Sequence, residues 1–218
     1  MMVKKVMEYF RVFAIVIMIT YVIIGFSIQH TPQSLQKRTQ LGKPYLFEKN
    51  TEYFGMLSDY ATCDNTLYVL YEAKSVLKCY DLSGNYLYSY CFLTYQNDRA
   101  ELQRTSKALY LKDRQNNYYQ LSNGKMIRFL HSKQNADEIK LLQKSFVSDA
   151  QKRTDVKGNT YTLRGAAIWK TDSQGNQVYV IRRPWILQFI AYKYIFILQI
   201  IWMVSIAASL LYEKFGRN

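Results

Sequence analysis

The chain has 218 residues, with 29 basic against 16 acidic side chains, 49% hydrophobic residues and 21% charged ones. That apolar content excludes a disordered polypeptide, and the length excludes an enzyme with several full-sized cores. The mean hydropathy of −0.21 averages over two very different materials: apolar runs near both ends and a polar, basic middle that holds most of the 20 tyrosines.

In chain order, residues 1–11 form a short basic tail with Lys4, Lys5 and Arg11. The stretch Val12–Ile28 follows, seventeen residues without a charge. At about 1.5 Å per residue it reaches the lower limit for crossing a hydrocarbon core of roughly 30 Å, so residues 12–30 read as a first transmembrane helix. The apolar run is longer than a signal-peptide core and lacks a small-x-small cleavage pattern, which favours an uncleaved signal anchor. Residues 31–52 read as a basic juxtamembrane linker. At the other end, residues 184–193 read as an interfacial segment and residues 194–212 as a second transmembrane helix, nineteen residues without a charge. Trp185, Tyr192, Tyr194 and Tyr212 near its ends suit the headgroup zone. Gln199, Ser205 and Ser209 are its candidates for helix–helix contact, and residues 213–218 form a tail. Neither run contains an ionisable residue, which argues against a transporter or proton relay. A short basic N-terminus stays inside more readily than a long loop does. The expected placement is the plasma membrane, with both termini cytoplasmic and the middle extracytoplasmic.

Residues 31–183 carry 23 basic and 14 acidic side chains. The basic residues are scattered and show no recognition-helix or RNA-binding signature, so no specific nucleic acid is expected. The neighbours expected instead are the lipid bilayer, a glycan or anionic polymer, and a membrane protein partner or a second copy of the chain.

The middle repeats itself. Asp64–Phe92 (DNTLYVLYEAKSVLKCYDLSGNYLYSYCF) and Asp155–Arg183 (DVKGNTYTLRGAAIWKTDSQGNQVYVIRR) share an Asp-led turn, an aromatic strand, and a second strand closing on Asp-x-x-Gly-Asn before a third. Ala108–Leu130 is a weaker copy between them, with Ser-Asn-Gly at the matching turn. Gly84, Gly124 and Gly175 are therefore expected at equivalent hairpin turns that require positive φ. Asp81 and Asp172, with Asn85, read as turn-capping groups rather than catalytic carboxylates. In Tyr86–Phe92 strict alternation would place Tyr86, Tyr88, Tyr90 and Phe92 on one face, while Leu67–Tyr71 is apolar on both faces, as in stacked sheets. Residues 136–146 read as a short inserted helix, with Glu138 at the capping-box position after Asn135, and a first strand of the third repeat is the competing reading for part of the same stretch.

LYVLYEAKSVLKCYDLSGNYLYSY and GNTYTLRGAAIWKTDSQGNQVYVI resemble the blade unit of NHL-type and related six-bladed β-propellers, in three copies over residues 58–183. The resemblance implies antiparallel meanders and a binding rather than catalytic role, and it carries over no site residue. Residues 53–183 have no room for a closed ring. The expected fold is a mainly β soluble domain of three blade-like meanders, an incomplete propeller, flanked by two transmembrane helices. It would be an open stack or half of a two-chain ring.

Other chemistry is sparse. Two histidines, His30 and His131, supply neither a metal site nor a Ser-His-Asp set, and no phosphate-binding glycine loop occurs, so no catalytic residue, metal or cofactor is expected. Cys63, Cys79 and Cys91 all fall in the first repeat. Cys79 and Cys91 flank one hairpin and could bridge it, or all three could be buried thiols. The functional expectation is a membrane-anchored extracytoplasmic interaction module. The alternatives are a sensor or accessory subunit of a membrane complex, and a carboxylate-based hydrolase.

Overall fold

The computed structural model describes residues 37–50, 57–71, 75–92, 100–164 and 167–182, together with eleven positions in the two terminal apolar segments. The chain divides into two compact units, Met1–Ile28 with Trp185–Asn218, and Gln29–Pro184. In the first unit the described positions, among them Val12, Phe13, Ile15, Val16, Met203 and Val204, are helical and expose their apolar side chains. Among the described residues no helix is long and apolar enough to cross a membrane. Most of the two expected spans, including Gln199, Ser205 and Ser209, lies outside the described residues.

The second unit is mainly β, built from three antiparallel sheets of five, four and three strands. The first meander runs through β2 (Asp59–Cys63), β3 (Thr66–Tyr71), β4 (Val76–Asp81) and β5 (Tyr86–Cys91), and β1 (Tyr45–Phe47) adds to its outer edge beside β5. The second comprises β6 (Glu101–Arg104), β7 (Leu109–Lys112), β8 (Tyr118–Ser122) and β9 (Lys125–Leu130). A connecting segment with α1 (Ala136–Gln143) and α2 (Asp149–Lys152) leads to the third, β10 (Thr160–Arg164), β11 (Ala167–Thr171) and β12 (Gln177–Arg182). Its first strand is reduced to a bridge between Thr154 and Thr160. Each meander carries a register shift in its last hairpin, next to Cys79/Tyr80, Gln120/Leu121 and Ile168/Trp169.

That shift corrects the simple alternation of Tyr86–Phe92. Tyr80 faces Tyr86, but Cys79 faces Tyr88, so Leu87 is the extra residue of a bulge. Beyond the bulge Tyr90 and Phe92 lie in one apolar cluster with Tyr88 packed against it, while Tyr86 packs against the other. The helix also differs from expectation. α1 stops at Gln143, and Asn135 makes no side-chain cap. Its Oδ1 accepts from the His131 N–H at 3.0 Å, and Glu138 pairs instead with Arg128. The capping box belongs to α2, where Ser148 and Gln151 cap each other.

The sheets stack face to face in an order unlike their order in sequence. One face of the first meander (Tyr68, Leu70, Leu77, Tyr90) packs on the second (Leu102, Leu109, Leu111, Tyr119). Its opposite face (Tyr60, Leu67, Val69, Val76) packs on Tyr161, Ile168 and Ile181 of the third. The first meander is thus covered on both sides, which is why every residue of β3 is buried. The far face of the second is closed by Ile139, Leu142 and Phe146 against Tyr110, Tyr118 and Leu130. This differs from a propeller, in which successive blades are neighbours, and α1 occupies the place where a further blade would sit.

The last-hairpin glycines lock this stack. Gly84 and Gly124 have φ of 93° and 73°. A Cβ on Gly84 would lie 1.9 Å from the carbonyl oxygen of Val180 in the third meander, and one on Gly124 would lie 1.6 Å from the Tyr88 hydroxyl in the first. Gly175 has φ of 87° but nothing within 4 Å of such a Cβ. The three substitutions to alanine should therefore rank. Gly175→Ala should cost only the left-handed backbone penalty of about 1–2 kcal/mol. Gly124→Ala should cost more, because a tyrosine ring must move. Gly84→Ala should be worst, because backbone must move. Urea unfolding of the full chain in detergent measures all three, and equal midpoints would contradict the stacking order.

Candidate functional site

Three groups of polar residues stand out, and each can be followed to its partners. The first is a family of five-residue loops, Asp81–Asn85, Asp113–Asn117, Asp155–Asn159 and Asp172–Asn176. In each, the first residue's N–H donates to the Asn carbonyl at 2.9–3.0 Å, and the N–H of the fourth residue donates to the Asp carbonyl at 3.1 Å. The Asn side-chain amide donates to Asp Oδ2 at 2.7–2.9 Å, and the Asn N–H donates to Asp Oδ1 at 2.8–3.0 Å. The fourth position has positive φ in all four loops, as Gly84, Asn116, Gly158 and Gly175. The Asp81 and Asp172 carboxylates thus hold their own turns. The Asn85 and Asn176 hydrogen bonds keep both below the ordinary value of 3.8. For Asp155 burial opposes ionisation, but hydrogen bonds led by those from Asn159 outweigh it and the net shift is also downward.

The second group closes the inner edges of the stack. The Asp59 carboxylate on β2 accepts from the Leu102 N–H of β6 at 2.8 Å, and the Lys152 ammonium at the end of α2 lies 3.2 and 3.1 Å from its two oxygens. The same ammonium donates to the Leu102 carbonyl at 2.9 Å. Arg104 and Thr62 each donate to the Thr154 carbonyl at 2.8 Å. Where the third meander lacks a first strand, the Tyr60 hydroxyl fills in, donating to the Tyr161 carbonyl and accepting from the Leu163 N–H, both at 3.2 Å. The Arg153 guanidinium covers the Tyr60 ring at 4.8 Å.

The third group surrounds Lys78, which is fully buried on β4 opposite the equally buried Ser89. Its Nζ donates to Asn50 Oδ1 at 3.0 Å and lies 5.4 and 6.0 Å from the Tyr71 and Tyr86 rings. The Tyr86 hydroxyl and Ser89 Oγ are 2.9 Å apart. Lysine, serine and tyrosine are reactive types, but Lys78 and Ser89 are fully buried and Tyr86 is half-buried. Amide and ring faces stabilise the cation instead.

The cysteines are free and buried. Cys79 faces Tyr88, whereas Cys91 faces Val76, and they belong to apolar clusters on opposite faces of the sheet. Geometry therefore separates the two thiols considered for a bridge. Burial raises the Cys63 and Cys91 thiols to about 11 and about 12, and pushes Cys79 up further. Among the described residues no three His, Cys, Asp or Glu side chains come together to hold a metal.

What remains unused is the outward face of the third meander. The register sets Thr160 opposite Thr171 and Gln177, and Thr162 opposite Trp169 and Tyr179. This face points away from Tyr161, Ile168 and Ile181, which pack on the first meander. The Trp169 and Tyr179 rings lie 3.7 Å apart, centroid to centroid, and Tyr179 is 55% exposed. Arg164 bonds Gln177 at 2.9 Å, and Arg182 lies 5.9 Å from the Tyr179 ring. Thr162 Oγ1 is enclosed without a hydrogen-bond partner. The corresponding faces of the other meanders are mainly apolar, with Leu67, Val69 and Val76 beside the buried Lys78 in the first and Leu109, Leu111 and Leu121 in the second. The sequence reading named no residue of this face; the run Thr-Tyr-Thr-Leu-Arg at 160–164, polar at alternate positions, is the signal that marks it. No protein-family model, curated protein or solved structure matches the chain.

Two measurements follow from the interior. Lys152→Met leaves a buried carboxylate unpaired and should cost about 3–5 kcal/mol. Adding Asp59→Leu should cost less than the sum of the two single changes; strict additivity in urea unfolding would show that the groups are not coupled. The lowered Asp81, Asp155 and Asp172 contribute stability that is present above the unfolded-state value of about 3.8 and is lost as the pH falls through their folded values. The urea midpoint should therefore drop below about pH 4, and drop less in an Asp155→Asn variant.

Proposed function

We propose that the chain is a non-enzymatic interaction module attached to a membrane by its two end segments, with the meander stack held outside the cytoplasm. The observation that carries this reading is where the polar chemistry goes. The carboxylates of Asp59, Asp81, Asp155 and Asp172 and the ammonium of Lys152 are consumed by hydrogen bonds within the fold. The outward face of the third meander retains aromatic and polar side chains that the fold does not use. Membrane attachment is supported by the two uncharged runs and by the exposed apolar side chains on their helical positions, such as Val12 and Val204 at 60% and 62%.

Two experiments test the reading. With the native thiols buried, Ser83→Cys and Asn218→Cys should each supply the one readily reactive thiol. A membrane-impermeant maleimide added to intact cells should label the first and spare the second; the reverse pattern would overturn the placement. A photo-crosslinking residue at Gln177 should capture a partner in native membranes, and the same residue at Lys140 on α1 should not. Equal capture at both positions, or none at either, would overturn the interaction reading.

A further inference from the structure

Resting on that reading, we infer that the outward face of the third meander binds an acidic polysaccharide. The Trp169–Tyr179 pair is the platform, and Arg164 and Arg182 contact the anionic groups. A sugar ring presents a flat apolar C–H face ringed by hydroxyls, and aromatic side chains with polar flanks match both features. Here the two rings stand on adjacent strands of the three-stranded antiparallel sheet and pack on each other, 3.7 Å apart, with Tyr179 left exposed. Thr160, Thr162, Thr171 and Gln177 surround them. Thr160, Thr171 and Gln177 are in register across the three strands, so they form a row of donors and acceptors beside the rings rather than a scatter.

Charge chooses the kind of sugar. Arg164 and Arg182 belong to this face, at register positions opposite Ala167. Among the described residues of β10 to β12 and their turns the one carboxylate is that of Asp172, which its own loop already engages. A neutral glycan would leave two guanidinium groups uncompensated, whereas a carboxylated or phosphorylated one would pair with them. A second copy stacking in the manner of the meanders would need the far face of the second meander, and α1 covers that. A bilayer surface would call for exposed aliphatic side chains on this face, where threonine and glutamine stand instead.

The test uses the full chain in detergent micelles and three polymers: polygalacturonate, a phosphate-bearing teichoic acid and neutral dextran. Binding should be at least ten-fold tighter to one or both anionic polymers than to dextran, and the two anionic arms tell carboxylate from phosphate. Trp169→Ala should weaken it ten-fold or more. Arg164→Gln with Arg182→Gln should weaken it several-fold and reduce its salt dependence, while Lys125→Gln with Lys140→Gln, two exposed cations elsewhere, should leave it unchanged. An unchanged urea midpoint shows that each variant is folded. The inference is overturned if Trp169→Ala binds like the parent, if dextran binds equally well, or if the Lys125 and Lys140 pair matters as much as the arginines. It is also overturned if the chain binds no polymer and the Gln177 crosslink captures a protein or lipid; the interaction reading then stands alone. Absence of any Gln177 adduct removes both.

Discussion

The stack depends on one buried ion pair. Asp59 and Lys152 bring together three pieces of chain that are far apart in sequence, namely the start of β2, the edge of β6 and the end of α2. Edge strands with unpaired backbone groups invite misassembly. Here the Asp59 carboxylate takes the Leu102 N–H and the Lys152 ammonium takes the Leu102 carbonyl, so both backbone groups of an edge residue are satisfied by one pair. Removing Lys152 leaves the Asp59 carboxylate without its cation in a place where water can do little to help, whereas removing Asp59 leaves the ammonium with Asp149 at 3.2 Å. Directly after Lys152 the chain meets Thr62 and Arg104, which bind the Thr154 carbonyl, and the third meander begins.

The same pair accounts for the order of the sheets. If the third meander followed the second around an axis, the inner strands would line a channel. Instead the segment carrying α2 runs along the inner edges of β6 and then β2, and delivers β10 to the far side of the first meander. The third meander thereby loses most of its first strand. Tyr60 compensates by offering a phenol as donor and acceptor where backbone would have stood. A ring-centre ligand site of the propeller kind has no counterpart here, because residues that hold the fold together occupy that place.

Much of this was readable and some was not. The three meanders, the buried β3 and the hairpin glycines follow from local patterns: alternating side chains, apolar runs, and Asp-x-x-Gly-Asn turns. The fourth loop of that kind, Asp113–Asn117, escaped notice because asparagine replaces the glycine at Asn116, although asparagine tolerates the same left-handed backbone. The bulge at Leu87 was invisible because one inserted residue leaves a tyrosine-rich strand looking regular while turning Tyr86 to the other face. The stacking order was beyond the sequence altogether. It depends on contacts between residues such as Asp59 and Lys152, 93 positions apart, and nothing in the local pattern around either one marks the other.

A stack of repeats has to end, and the ways it ends are informative. Each internal interface here buries apolar residues from both sheets, so a terminal sheet with the same composition would expose a sticky face. At one end α1 covers that face with Ile139, Leu142 and Phe146. At the other end, among the described residues, no helix covers the sheet; the face itself changes, with threonine, glutamine and arginine standing where leucine and valine stand in the inner meanders. Solubility alone would be served by charged side chains of either sign. The face instead keeps two adjacent aromatic rings, Trp169 and Tyr179, with Arg164 and Arg182 beside them. The end of the repeat array, rather than any pocket within it, is where this fold has chemistry left over.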